Sequence, residues 1–135
     1  MFCFKVFVND SEIQGKGVFA DEDIPKDSIV WIFKEGYDKR DGKEFVDNLS
    51  KEHKEYYEKH CYLSRVSNTW VCPPKDDPSN YVNHNRKSNL IIRFDKKISP
   101  EIFFVSNKDI KKGEEITNNY AEFDEFTKNT NPEWL

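Results

Sequence analysis

Asn80-Tyr81-Val82-Asn83-His84-Asn85-Arg86-Lys87-Ser88-Asn89-Leu90 and Lys112-Gly113-Glu114-Glu115-Ile116-Thr117-Asn118-Asn119-Tyr120 are the two stretches on which the reading of this chain turns. The first sets amide and imidazole groups between apolar runs. The second is a glycine turn feeding a short β run that delivers a tyrosine. Taken singly, each has an ordinary explanation. Asn83 and His84 read as polar groups satisfied by backbone beneath a loop, and Tyr120 as a core aromatic with its hydroxyl at the surface. It is their order, with Gly15-Lys16-Gly17-Val18-Phe19-Ala20 upstream, that asks for a common cause.

Working outward, Asp77-Pro78 reads as a helix N-cap with proline at the first helical position, starting a single turn through Tyr81-Val82. That leaves Asn83 and His84 just past a helical end, where backbone groups lack intrahelical partners. Residues 90–94, 102–106 and 115–117 read as strands. Toward the N-terminus, Phe2, Phe4, Val6 and Val8 alternate with Cys3, Lys5 and Phe7, a strand pattern closed by Asn9-Asp10-Ser11. Gly15 and Gly17 flank one residue, which allows either a hairpin turn or a loop that a ligand approaches closely. With no third glycine and no helix pattern after it, the segment is not a dinucleotide or phosphate loop.

Residues 28–33 form a β-rich run, and the polar stretch 34–43, with Gly36 and Gly42, reads as loop. From 44 to 60, Phe45, Val46, Leu49, Tyr56 and Tyr57 fall at helical spacings and predict the one longer helix. Residues 62–65 and 69–72 read as short strands before the breaker Pro73-Pro74. After Tyr120 the tail 121–135 carries Phe123, Phe126 and Trp134 among charges. Many short strands with one helix do not make a parallel α/β rhythm. The expected class is mainly β, a β-dominated α+β fold, as a single domain over 1–135 without internal repeats.

Composition narrows the function classes. Eleven Phe, six Tyr and three Trp supply enough large apolar surface for one core in a chain of 135 residues. A net charge of −4 argues against direct nucleic-acid binding and favours basic partners such as lysine-rich tails. No apolar run reaches membrane-spanning length and no signal segment is visible, so an intracellular protein, cytoplasmic or nuclear, is expected. Cys3, Cys61 and Cys72 are odd in number and lack a C-x-x-C pairing. They are expected to be reduced thiols, with no metal site.

The three segments resemble the signature motifs of SET-domain protein lysine methyltransferases. Residues 15–20 are similar to the family's G-x-G segment. Residues 81–85 with Ser88-Asn89 resemble its aromatic-apolar-Asn-His-Ser followed by Pro-Asn, and residues 110–120 its closing Gly-Glu-Glu-Leu-Thr run ending in a tyrosine. The resemblance implies small β-sheets around a pseudoknot-like crossing of the Asn83-His84 and Tyr120 segments. It implies S-adenosyl-L-methionine as cofactor, held by Gly15, Lys16, Gly17, Asn83 and the backbone of His84. It further implies Tyr120 as the catalytic residue, and methyl transfer to the ε-amine of a lysine in a protein substrate, a histone tail among them.

The substrate channel is then expected along Tyr81, Ile92, Phe123 and Phe126. The tail 121–135 would close it with Phe123, Phe126 and Trp134 where many relatives use a zinc-bound cysteine cluster, or these three simply anchor the C-terminus to the core. An aliphatic Ile92 near the family's aromatic switch position implies room for higher methylation states. Asn85 stands where serine is usual and Ser88 where proline is, and the family's middle Y-x-G segment has only the weak counterpart Glu35-Gly36-Tyr37. These departures leave open an inactive module that binds cofactor or lysine-bearing peptides.

Overall fold

A computed structural model gives the structure of residues 1–135. β1 (Val6–Asp10) and β2 (Lys16–Ala20) form an antiparallel hairpin, in register from Val6↔Ala20 to Asp10↔Lys16. Asn9 and Asp10 thus lie inside the strand, and the reversal falls on 11–15, where Gly15 takes φ +47. Of the earlier apolar residues, Phe2 makes a single bridge to Trp31. The isolated bridge Ile24↔Ile110 pins the connection that follows β2, and both residues are fully buried.

β3 (Ile29–Trp31) comes from the expected β-rich run. β4 (Lys39–Gly42) occupies part of the stretch expected to be loop. Its pairing is tertiary: each residue from Lys39 to Gly42 faces one of Cys72 to Thr69 in β6 (Thr69–Cys72). β5 (Tyr62–Leu63) pairs with the other edge of β6, completing a three-stranded sheet in the order β4-β6-β5.

The expected helix over 44–60 is two helices, α1 (Lys43–Asp47) and α2 (Lys51–His60). The break has a local cause. Asn48 Nδ2 folds back to the Glu44 carbonyl at 2.9 Å, and the Ser50 hydroxyl accepts the His53 N–H at 3.4 Å as the N-cap of α2. Such side chains compete with helical bonds and favour caps.

Past Pro73-Pro74, Asp77 caps a 3-10 turn (Pro78–Tyr81) as its sequence suggests, accepting the Ser79 N–H at 2.8 Å. β7 (Asn83–His84), β8 (Leu90–Arg93), β9 (Phe103–Ser106) and β10 (Glu115–Asn118) follow. The other two sheets run β1-β2-β10-β7 and β3-β9-β8. The tail is helical where no element was expected: α3 (Tyr120–Phe123) and α4 (Glu125–Thr130), capped by the side chains of Asn119 and Asp124.

The main core gathers Val18, Val30, Leu90, Phe104, Ile110 and Ile116 between the sheets. A second cluster, Val46, Tyr57, Leu63, Trp70 and Cys72, lies beneath α1 and α2. The expectation of three reduced thiols is corrected: Cys61 and Cys72 form a disulfide with Cα atoms 4.6 Å apart, leaving Cys3 free. The register Tyr62↔Val71 sets Cys61 opposite Cys72, within the span a disulfide bridges.

Glu101 is fully buried and takes the Ser64 hydroxyl at 2.5 Å and the Arg40 guanidinium at 3.2 Å. Arg40 also covers the Phe33 ring at 5.0 Å. Arg40→Ala strands a buried carboxylate and is expected to lower stability by about 3 kcal/mol, the low end for a broken buried pair. Urea denaturation reads this as a lower midpoint with unchanged slope.

Candidate functional site

The Asn80–Leu90 and Lys112–Tyr120 stretches meet. β7 lies parallel to β10, with Asn83 opposite Thr117 and His84 opposite Asn118. The Asn89 side chain stitches the same seam, donating to the Glu115 carbonyl at 2.8 Å and accepting the Thr117 N–H at 2.9 Å. The unusual residues fit this loop. Asn85 accepts the Lys87 N–H through Oδ1 at 2.9 Å while its own N–H reaches the Asn118 carbonyl, and the Ser88 hydroxyl donates to the Leu90 carbonyl.

The Glu115 carboxylate brings in the glycine segment. It accepts the Ser11 hydroxyl at 2.7 Å and the Asn83 amide at 2.9 Å. Asn83 Nδ2 also donates to the carbonyls of Lys16, at 3.0 Å, and Gln14, at 3.2 Å. The donors of Asn83 are therefore turned inward, holding the Gly15 loop against the crossing. Gly17 makes room for this knot, since a β-carbon there would lie 2.5 Å from Glu115 Oε2.

Tyr120 sits at the start of α3, which its own backbone helps lock in place. Its N–H donates to His84 Nδ1 at 3.1 Å, and its hydroxyl donates to the Val82 carbonyl. Its ring centroid lies 5.2 Å from that of His84, 5.8 Å from Trp134 and 6.0 Å from Phe123. Burial, with a smaller contribution from the Asp124 charge, pushes the Tyr120 phenol up to about 12. The His84 imidazole is pushed down by burial first and the Arg86 charge second, so it is neutral at pH 7.

Two cavities meet at Tyr120. The larger, about 430 Å³, mixes polar residues with an aromatic side formed by Trp31, Tyr62, Phe104, Phe123, Phe126 and Trp134. Trp31 is fixed there by its Nε1–H to the Ser79 hydroxyl, at 2.9 Å. The smaller, about 270 Å³, is mostly polar and is lined by Gln14, Gly15, Lys16, Asn80, Tyr81 and Asn83 among others. Tyr120 and Val82 belong to both walls. Several buried polar atoms near this junction have no partner within the protein: Asn80 Oδ1, His84 Nε2, Asn118 Oδ1 and Tyr62 Oη. No three His, Cys, Asp or Glu side chains converge as metal ligands.

Of the residues singled out from sequence, Gly15, Lys16, Asn83 and Tyr81 line the polar cavity, Phe123 and Phe126 the aromatic one, and Tyr120 both. Gly17 and His84 lie behind these walls as supports. Ile92, half-buried on β8, packs against the main core and lines neither cavity, whereas Leu90 on the same strand lines the larger. Trp31, Tyr62 and Phe104 carry no motif that would have marked them as wall residues, whereas Trp134, in the aromatic tail, also lines the larger cavity. Glu115 stands inside a quoted motif, but its role as the common acceptor appears only with the pairing.

Comparison with known proteins gives the family. The SET domain model matches residues 15–121. The chain belongs to the SET domain family. The SET crossing here is thus the β7–β10 seam with Tyr120 at its end. Histone-lysine N-methyltransferase 2D of Homo sapiens and of Mus musculus are each 29% identical to this SET domain over 123 residues, 85% of the chain. The chain spans only 2% of the length of these curated relatives.

Among solved structures, Chaetomium thermophilum Polycomb Repressive Complex 2 bound to GSK126 matches with a TM-score of 0.68 and 27% identity, covering 94% of this chain and 17% of that one. A Plasmodium falciparum protein, at 22% identity and a TM-score of 0.57, covers 87% of this chain and 93% of its own, and shows the fold alone.

The packing at Gly17 is directly testable. Gly17→Ala is expected to lower stability by about 1–3 kcal/mol through overpacking against Glu115. In a double-mutant cycle with Glu115→Ala, the pair should cost measurably less than the sum of the singles, because the clash is then gone. Strict additivity would show that the Glu115 carboxylate is not what excludes a side chain at 17.

Proposed function

We propose that this chain transfers a methyl group from S-adenosylmethionine to the ε-amine of a lysine in a basic protein substrate, a histone tail among the candidates. The observation that carries the reading is the position of Tyr120, which lines both cavities and whose hydroxyl is held on the carbonyl of Val82, a residue of the same two walls. The residues present suit the cofactor: Gly15 leaves its side of the polar cavity open, and Gln14, Lys16, Asn80 and Asn83 make that wall polar. Membership of the family and the names of the curated relatives support the same activity. When bound, the cofactor supplies an electrophilic methyl on a sulfonium.

The rest falls to the protein. An in-line displacement needs the amine held about 3 Å from the methyl on the far side from sulfur, a task of alignment rather than of acid-base chemistry. The aromatic cavity, with Trp31, Tyr62, Phe104 and Phe123, would take the apolar stem of a lysine. It also favours the neutral amine, which in water at pH 7 lies about 4.6 kcal/mol above the ammonium. The Tyr120 hydroxyl is already donating to the Val82 carbonyl, so its oxygen lone pairs are free to accept an N–H and aim the nitrogen. With the phenol pushed up to about 12, it stays protonated and does not trap the proton the amine releases. The tail helices contribute Phe123 and Phe126 to the wall while Phe123 also packs on Tyr62 and Phe104, so closure and anchoring are one arrangement.

Tyr120→Phe removes the acceptor and keeps the ring. Methyl incorporation into core histones or a cell lysate, read by tritium or mass, is expected to fall at least about a hundredfold while calorimetric binding of S-adenosylmethionine stays within about threefold. Equal turnover in both proteins would remove Tyr120 from the mechanism. Binding without turnover in the wild type would favour a recognition module instead.

Because the reacting amine must be neutral and Tyr120 ionises only near 12, the rate should climb from pH 7 to about pH 9.5 as the substrate lysine deprotonates, without a downturn. Initial rates across that range, with folding followed by circular dichroism, check this. A fall in rate in folded protein within the range would contradict the assignment of a phenol that stays protonated.

A further inference from the structure

We propose that the Cys61–Cys72 disulfide is a reversible redox site, and that its reduction frees the end of α2 and loosens the wall of the larger cavity. The inference rests on the reading of the chain as a methyltransferase acting on histone-type tails. In the nuclear or cytosolic compartment of such substrates thiols are kept reduced, and a disulfide that forms there is usually transient or redox-sensing.

The bond joins two runs that both line the cavity. Residues 58–62, from the last turn of α2 into β5, make one, and Val71 and Pro73, on either side of Cys72, make the other. β5 and β6 pair at Tyr62↔Val71 and Leu63↔Trp70 and no further toward the helix. Past that pairing no hydrogen bond ties the last turn of α2 to β6. The disulfide does so, helped by the contact of Tyr57 with the Trp70 ring one turn earlier in the helix. Cutting the bond therefore releases residues 58–61 while the β5–β6 ladder stays in place.

The two sulfurs are not equally placed. Cys61 is half-buried and lines the cavity, whereas Cys72 is 1% exposed and packed in the cluster with Val46, Leu63 and Trp70. Thiol exchange depends on which sulfur an incoming thiolate can reach, so attack falls on Cys61. The thiolate of a dithiol reductant bonds to Cys61 Sγ, the protein S–S bond breaks, and its electron pair leaves on Cys72 Sγ, which takes a proton from water. The reductant's second thiolate then displaces Cys61 from the mixed disulfide, and Cys61 Sγ is protonated in turn. The protein gains two electrons and two protons, and the reductant becomes a disulfide. Glutathione disulfide runs the exchange backwards, leaving as two thiols.

The test uses the full chain with Cys3→Ser, which removes the one free thiol so that only this pair responds. Purified without reductant and then denatured, it should take up no iodoacetamide, and two equivalents after dithiothreitol. In the folded protein, dithiothreitol should speed amide hydrogen exchange over residues 58–61 at least about tenfold. It should also lower kcat/KM on core histones at least about tenfold, the cost of a misplaced wall, and glutathione disulfide should restore both. Cys61→Ser combined with Cys72→Ser should behave as the reduced protein and ignore dithiothreitol.

Alkylation of both cysteines without reductant, or exchange and kcat/KM unchanged on reduction, would overturn the proposal. So would a loss that glutathione disulfide does not reverse, or one that takes the circular dichroism of the fold with it, since the bond would then be a structural staple. Failure of the proposed function looks different: no methyl incorporation in either state, while exchange over 58–61 still responds to reduction.

Discussion

One carboxylate fixes the relation of the three segments that make up the site. Glu115, on β10, accepts from Ser11 in the hairpin turn and from Asn83 on β7, joining stretches that are about a hundred and about thirty residues away in sequence. Hydrogen bonds to a charged acceptor contribute about 1.5–3 kcal/mol each, more than neutral ones. Here they also decide geometry, since Asn83 then holds the carbonyls of Gln14 and Lys16 and sets the polar cavity against Tyr120. Gly17 belongs to this clasp rather than to the ligand wall: its missing side chain is the space that Glu115 fills.

The same seam gives Tyr120 its two faces. The parallel register of β7 and β10 ends one residue short of α3, so the Tyr120 N–H falls on His84 Nδ1 and its hydroxyl on the Val82 carbonyl. Both bonds restrain the ring without consuming the hydroxyl oxygen. His84 receives the backbone N–H because burial keeps its imidazole neutral, and a charged ring would have no acceptor to offer at that nitrogen. The imidazole is thus a support for the phenol, and Trp134 completes a three-ring cluster, its centroid 5.2 Å from that of His84 and 5.8 Å from that of Tyr120.

The far wall is held by different means. α2 ends at His60, and the Cys61–Cys72 disulfide ties that end to β6, while Trp70 of β6 meets Phe126 of α4 at 5.8 Å. Asp124 accepts from Leu63 N–H and from the Thr127 hydroxyl, joining the tail to β5. The aromatic cavity is therefore bounded in part by elements from the middle and the end of the chain that are cross-linked to one another.

Local chemistry in the sequence determined a good part of this protein. The Asp77-Pro78 cap, the strands at Leu90–Arg93 and Phe103–Ser106, and the order of the glycine, Asn-His and tyrosine segments follow from dihedral preferences, apolar period and motif spacing, all of which act within a few residues. What required the tertiary structure were features made by pairing distant residues. Lys39–Gly42 is polar and carries glycine, and only β6 beside it makes it a strand. Cys61 and Cys72 become partners only through the β5–β6 register. Ile92 follows Leu90 by two residues, yet only Leu90 lines the aromatic cavity, a distinction that strand alternation alone does not make. Tyr120 and Val82 come to line both cavities only because the β7–β10 pairing brings the end of the 3-10 turn to the start of α3, through hydrogen bonds between segments that the chain keeps far apart.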